Sequence, residues 1–364
     1  MKLDHIELAD FRNIATAQVE LHPGTNVFIG ENAQGKTNLI EAVYLLACAK
    51  SFRSPRLRDL IRHGEKTAKI KADISGEGLP FQLSMTLREK EGKEILKNGV
   101  KLTRLSEFLG LFRVVLFCPE HLSLIKEGPG KRRSFLDAAI CQLRPYYASL
   151  LNECNKLEAQ RSALLKQSMK QTVSRDLMRC WEERLAAVSV KIACIRADYV
   201  KNLAQLAPLH YHRISREREA LALSYESDVY DPNLTAEEME KQYLSLLESH
   251  LESDIRYGFT QRGVHRDDLA ITIDSYPARG FASQGQQRSA VLSLKLSEGE
   301  ISRAGTGQDP IYLLDDVLSE LDEGRRSYIT GGLAGKQVIL TGCDPDSFGF
   351  VDRIHKVKAG VFSR

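Results

Sequence analysis

Residues Gly30-Glu31-Asn32-Ala33-Gln34-Gly35-Lys36-Thr37 constrain this chain more than any other stretch, because they fit G-x-x-x-x-G-K-[ST] in full. The flanks agree with the pattern. Thr25–Ile29 reads as a buried strand, and Asn38–Leu46 reads as a helix. A strand, a glycine loop and a helix N-terminus together make a cradle for phosphate oxygens. Gly30 and Gly35 allow backbone shapes and close approaches that a side chain would block. Lys36 is expected to reach the β- and γ-phosphates, to point into solvent without a ligand, and to act as a catalytic residue. The Thr37 hydroxyl is the expected ligand of Mg²⁺. Binding of a nucleoside triphosphate follows as the first expectation.

At 364 residues the chain exceeds the length of about 250–300 at which one core stops growing, so two lobes are expected. The first hundred residues alternate apolar and polar positions, as in Ala68, Ile70, Ala72 and Ile74, and Asn98-Gly99 is a hairpin signal. From Ser134 the pattern turns helical over Tyr146–Gln167 and Ser174–Leu206, and Thr235-Ala236-Glu237-Glu238 opens another helix with capping-box spacing. Pro145, Pro208 and Pro232 are read as breaks between helices. Strands return after Tyr257, among them Leu269–Ile273, Ile311–Leu314 and Gln337–Thr341. The resulting division is an α/β ATPase lobe split between residues 1–133 and 257–364, with an inserted, mainly helical lobe over 134–256.

Composition excludes more than it proposes. The N-terminus carries Asp4, Glu7 and Asp10 where a signal peptide needs an apolar run, and the longest stretch without Lys, Arg, Asp or Glu is Asn202–His212. Eleven residues cannot span a bilayer. No membrane partner and a cytoplasmic location are expected. Seven cysteines without C-x-x-C spacing read as reduced thiols, Cys343 among them. The net charge of +3 is too small to imply a polyanion by itself. Its distribution is more telling, since eight Lys/Arg lie between Lys50 and Lys71 against Asp59 and Glu65 alone. Arg53, Arg56, Arg58 and Arg62 are therefore candidate DNA contacts, with the solvated basic face as the equal alternative. Lys131-Arg132-Arg133 is a second basic cluster, placed either on DNA or beside the nucleotide. Arg12 is read either as a phosphate contact or, equally, as one half of a surface salt bridge.

Ile311-Tyr312-Leu313-Leu314-Asp315-Asp316 has the form of a Walker B element, an apolar strand ending in two acids. Asp315 would hold Mg²⁺, and Asp316 would orient or deprotonate the attacking water. Ser283-x-Gly285-Gln286, at the head of an apolar-periodic helix, resembles the signature of ATP-binding-cassette proteins, and Leu318–Asp322 resembles their D-loop. In that superfamily two heads dimerise head to tail, so the resemblance places Ser283, Gly285 and Gln286 against nucleotide held by a second copy. Alone, Ser283 would be an ordinary N-cap.

Thr37 and Ser283 are 246 positions apart, far more than in compact transporter ATPases, and the insert is too short for the arms of chromosome-structuring proteins. Leu8–Asn13, Gly30–Thr37 followed by Asn38, Gly128-Pro129-Gly130-Lys131-Arg132-Arg133-Ser134-Phe135-Leu136-Asp137 and Ser283–Arg288 together resemble the RecF family of bacterial replication and repair proteins. Through the resemblance the fold is implied to be a P-loop NTPase of ABC/SMC-head type with an inserted helical second lobe. The implied cofactors are ATP and Mg²⁺, and an ATP-dependent homodimer is implied with them. The partners it implies are duplex, gapped, junction or single-stranded DNA, the proteins RecR and RecO, and indirectly RecA. Two features depart from the broader superfamily. The second acid is Asp316 instead of Glu, and Thr341-Gly342 stands where many such ATPases carry a histidine. Both favour a slow, DNA-stimulated ATPase that serves as a switch. A transporter subunit and a chromosome-organising protein are the alternatives.

Overall fold

The computed structural model describes residues 1–76, 78–169, 174–342 and 351–363. Cys343 lies outside the described residues. The chain opens with a hairpin, β1 (Lys2–Phe11) and β2 (Ile14–Glu20), then runs inward as β3 (Thr25–Ile29). β4 (Thr67–Gly76), β5 (Gly78–Arg88), β6 (Gly92–Lys97) and β7 (Val100–Lys101) join the hairpin in an antiparallel sheet of order β2-β1-β4-β5-β6-β7. Alternation decides its faces, because Ala68, Ile70, Ala72 and Ile74 of β4 are all buried while their neighbours are not. Asn98 and Gly99 between β6 and β7 both have positive φ, as the short turn requires.

β8 (Val114–Phe117) starts the second sheet, which surrounds β3. β9 (Leu221–Glu226), β10 (Asp268–Ile273) and β11 (Tyr276–Pro277) form a small antiparallel sheet. β12 (Ile311–Asp315), β13 (Val338–Gly342), β14 (Arg353–Lys358) and β15 (Val361–Ser363) complete the order β15-β14-β3-β13-β12-β8. Every pairing in this second sheet is parallel except β14 with β15. β8, β12 and β13 are buried at every residue, and β3 at its three central ones, because helices and the first sheet cover both faces. In such sheets ligands gather at the carboxyl ends of the strands, which is where Gly30 and Asp315 lie.

The helical lobe has its own core, built on helices Pro129–Leu143, Tyr146–Ser168, Arg175–Ile214 and Ala236–Ser249. Three findings differ from the expectations above. Pro208 lies inside the long helix instead of ending it, because Leu203, Ala207 and Tyr211 are fully buried on either side and hold the helix against the loss of one backbone bond. The Gly128-Pro129 pair starts a helix, with proline in the first turn where its missing N–H costs nothing. β10 pairs with β9 and shares the core of the helical lobe, although it lies beyond residue 256. The six described cysteines are free thiols, and no helix among the described residues is long and apolar enough to cross a membrane.

Candidate functional site

The glycine loop leaves β3 and closes on the helix Lys36–Cys48. Its two glycines are needed for different reasons. A Cβ on Gly30 would stand 2.3 Å from the Val357 carbonyl oxygen of β14, so this position is set by close packing. Gly35 sits at φ 115°, a left-handed conformation that disfavours any side chain. Gln34 ties the loop to the turn after β14, accepting from Ala359 N at 2.5 Å through Oε1 and from Gly360 N at 2.8 Å through its carbonyl. Lys36 is buried, in contrast to the solvent-directed side chain expected of it. Its ammonium donates back to the carbonyls of Gly30 and, at 3.0 Å, Glu31. The charge is thus already centred in the loop, where phosphate oxygens would compete for it.

Thr37 Oγ1 donates to Asp315 Oδ1 at 2.9 Å, joining residues 278 positions apart. Thr341 Oγ1 donates to the same carboxylate oxygen at 2.8 Å and accepts from Asp316 N at 3.0 Å. Asp315 is buried, and burial pushes its carboxyl above the usual range against the pull of those two hydroxyls. Its Oδ1 therefore has neutral donors only, and among the described residues no cation pairs with it. A hydroxyl beside an under-compensated buried carboxylate suits a hard divalent cation with oxygen ligands. Such a cation would be held by Thr37, Asp315 and the nucleotide's own oxygens. No group of three or more His, Cys, Asp or Glu suited to a metal occurs among the described residues.

Asp316 is exposed and left-handed, at φ 51°, a conformation that Asp tolerates better than most residues. Ser319 Oγ donates to its Oδ1 at 3.0 Å and turns the carboxylate out of the strand. Thr341, noted in the sequence only for not being histidine, proves to bridge the two acids. Glu120 was missed entirely. It follows β8, the neighbour of β12, and its negative charge acts on Asp315. Nothing in its local sequence marks it, since the relation is made by strand pairing.

A second group surrounds the start of the phosphate-loop helix. Arg12 donates to both oxygens of buried Glu41, at 2.8 and 2.7 Å, an ion pair with a buried partner instead of the surface salt bridge expected as one alternative. Ser51 donates to the same carboxylate at 2.5 Å. Asn13 reaches the Ala33 carbonyl at 3.3 Å and accepts from Asn38 at 2.7 Å, and Asn38 accepts from Arg53 at 2.9 Å. Arg53 also lies 3.7 Å from Glu41. It is exposed and links the wall of the glycine loop to the basic stretch.

The remaining basic candidates divide by exposure. Arg56 is exposed, Arg58 is paired with Glu89, and Arg62 stands 3.6 Å from Asp10. Exposed pairs of this kind are weak and exchange readily for other anions. Lys131 is half-exposed, 3.8 Å from Glu127. Arg132 is buried instead, donating to both oxygens of Asp268 at 2.6 and 2.7 Å and to the carbonyls of Leu124 and Glu127. Arg133 donates to the Asp267 carbonyl at 2.7 Å. Lys131 and Arg132 in the first turn oppose the helix dipole, and Asp268 of the neighbouring strand compensates Arg132. Arg132 has no charge to spare for DNA.

Ser283 caps the helix Gln284–Thr306. Its Oγ accepts from Gln286 N at 3.2 Å, and the Gln286 side chain accepts from Ser283 N at 2.7 Å, a full capping box. Within one chain Ser283 serves as a cap, and Gln286 Nε2 also donates to Glu219 at 3.0 Å. Arg325 donates to the Gly285 carbonyl at 3.3 Å and to Ser289 at 3.0 Å, fixing the first turn from the helix that follows the D-loop-like segment. Ser283 and Gln284 are not covered by other parts of the chain.

A phosphate loop after β3, the acid-ended strand β12 two places away in the same mainly parallel sheet, and a capped helix that resembles the signature define an ATPase head of the SMC class. Residues 2–360 match the family described as RecF/RecN/SMC N-terminal domain. The chain belongs to the RecF family. It is 40% identical over 340 residues to the DNA replication and repair protein RecF of Listeria monocytogenes serotype 4b, covering 92% of this chain and 91% of that one. It is 38% identical over 372 residues to the RecF of Halothermothrix orenii, covering 100% and 99%. Among solved structures it is similar to a recombination mediator protein RecF with ATP in the RecFOR pathway, at TM-score 0.94 and 34% identity over 99% of this chain and 96% of that one. An SMC head bound to the C-terminal winged-helix domain of ScpA shares the fold alone, at TM-score 0.58 and 15% identity.

Proposed function

We propose that this chain binds ATP and Mg²⁺ at Gly30–Thr37 and Asp315, and that ATP joins two copies head to tail into a clamp on DNA. The observation that carries the reading is the Thr37–Asp315 hydrogen bond, which brings the two halves of a nucleotide site together at the carboxyl ends of β3 and β12. The RecF structure with ATP supports the nucleotide. Mg²⁺ in this place would neutralise phosphate charge and hold the triphosphate for in-line attack. Lys36 would exchange its two loop carbonyls for phosphate oxygens, and Asp316 would accept a proton from the attacking water. Its side chain is shorter than glutamate and already bonded to Ser319, which favours slow turnover. The dimer is suited to gapped or junction DNA in repair, where it would work with RecO and RecR to place RecA on single strands, in line with the pathway named for the relative. The transporter alternative gains no support from the fold. The longest helix, Arg175–Ile214, folds back against Tyr146–Ser168 in a compact lobe, which speaks against an extended arm.

Two experiments test this reading at single sites. Asp316→Asn keeps the size of the side chain and suits the same left-handed backbone, yet cannot take a proton. Hydrolysis should fall by at least about 100-fold while ATP still binds and the ATP-bound dimer persists longer. Wild-type turnover would leave Asp316 a structural role only. In the basic stretch, neutralising Arg56, Arg58 and Arg62 should weaken binding to all DNA sequences alike. The slope of log affinity against log salt should flatten by about 0.9 for each phosphate that is no longer neutralised. A slope equal to wild type would move the DNA surface away from this segment.

A further inference from the structure

Tyr276 and Phe281 are 64% and 71% exposed, with ring centroids 6.1 Å apart and planes inclined at 34°. Two large rings side by side in water are an unfavourable arrangement for a surface with no partner. They are also held in place. Asp274 and Ser275 turn the chain between β10 and β11 with φ of 49° and 68°, and Asp274 exchanges two 2.8 Å hydrogen bonds with Ala220. Ala278, between the two in sequence, is buried and anchors the segment. Phe281 is two residues from Ser283, a reach of about 7 Å along the chain. Arg279, between the two aromatic residues in sequence, is exposed.

We propose that Tyr276 and Phe281 are the apolar anchor with which one copy of this chain grips a second copy beside its nucleotide. This rests on the head-to-tail reading above. Ser283 must then meet the partner's phosphates, and Tyr276 on the hairpin strand and Phe281 in the turn that leads to Ser283 are carried to the rim of the same junction. Charge agrees with this occupant. The helix N-terminus and Arg279 present positive charge, while the facing loop presents the triphosphate and the exposed carboxylate of Glu31. The rings would supply the desolvated contact, and the signature residues would make that contact conditional on ATP.

The test is the dimerisation constant with ATP, from light scattering over a protein dilution series, for wild type, Phe281→Ala, Tyr276→Ala, Tyr276→Phe and Ser283→Arg. Burial of one aromatic ring corresponds to at least about a tenfold change in affinity. Phe281→Ala and Tyr276→Ala should each weaken the dimer by that factor. ATP affinity of the monomer should stay within about twofold, and Tyr276→Phe should behave as wild type. Both rings are exposed, so their removal leaves the fold intact. Wild-type dimerisation by both alanine variants, with Ser283→Arg monomeric, would overturn the anchor and spare the head-to-tail reading. A wild-type chain that binds ATP and stays monomeric would overturn both. Weakened DNA binding with an unaltered dimer would also overturn the anchor and assign the rings to DNA.

Discussion

Lys36→Ala should reduce ATP affinity by at least about 100-fold, measured by titration calorimetry on folded protein. The ammonium is a positive charge set inside the glycine loop, and its partners there are the Gly30 and Glu31 carbonyls. Charge-assisted hydrogen bonds contribute about 1.5–3 kcal/mol each, so loss of two to phosphate accounts for the factor. The fold should survive, because Glu31 is exposed at the loop mouth and water can replace the missing donor. An affinity equal to wild type in a folded variant would remove the phosphate loop from the nucleotide site. That outcome would contradict every later step.

Ser283→Arg should have an effect as large on a different quantity. In the isolated chain the Ser283 side chain bonds within its capping box, and replacing such a cap costs about 0.5–2 kcal/mol of stability without touching Lys36 or Thr37. ATP should therefore bind the variant monomer as before. A long cation at a junction built for a serine hydroxyl and a phosphate should abolish ATP-dependent dimerisation, together with hydrolysis and ATP-dependent DNA binding. Analytical ultracentrifugation with and without ATP reads the first of these directly. A normal dimer would make the serine a cap alone.

How much of this was legible in the sequence depends on the range over which each feature is decided. Gly35, Asn98-Gly99, Thr235–Glu238 and Ser283 are fixed by backbone chemistry within four residues, and the structure shows the turns and caps their identities require. Alternation along β4 likewise gave its buried face. Arg132 was beyond local reading. Its partner Asp268 lies 136 positions away, and a basic triplet in sequence looks the same whether it faces solvent or a buried carboxylate. β10 was recognisable as a strand, but only its pairing with β9 assigns it to the helical lobe's core. Pro208 misled because a breaker was weighed without the fully buried Ala207 and Tyr211 around it. Glu120 and Thr341 join the site only through the side-by-side order of β8, β12 and β13, which no spacing encodes.

The head-to-tail site is the claim on which the account turns, and mixing two inactive variants tests it most directly. Ser283→Arg damages only the signature a chain offers to its partner, whereas Asp316→Asn damages only the chain's own nucleotide site. In a mixed dimer one site joins both lesions. The other pairs an intact Asp316 with an intact Ser283. ATP hydrolysis measured on the two variants alone and then combined in equal amounts should rise from near zero to a substantial fraction of the wild-type rate. Mixtures no more active than the separate variants, while wild type hydrolyses ATP under the same conditions, would contradict the shared site.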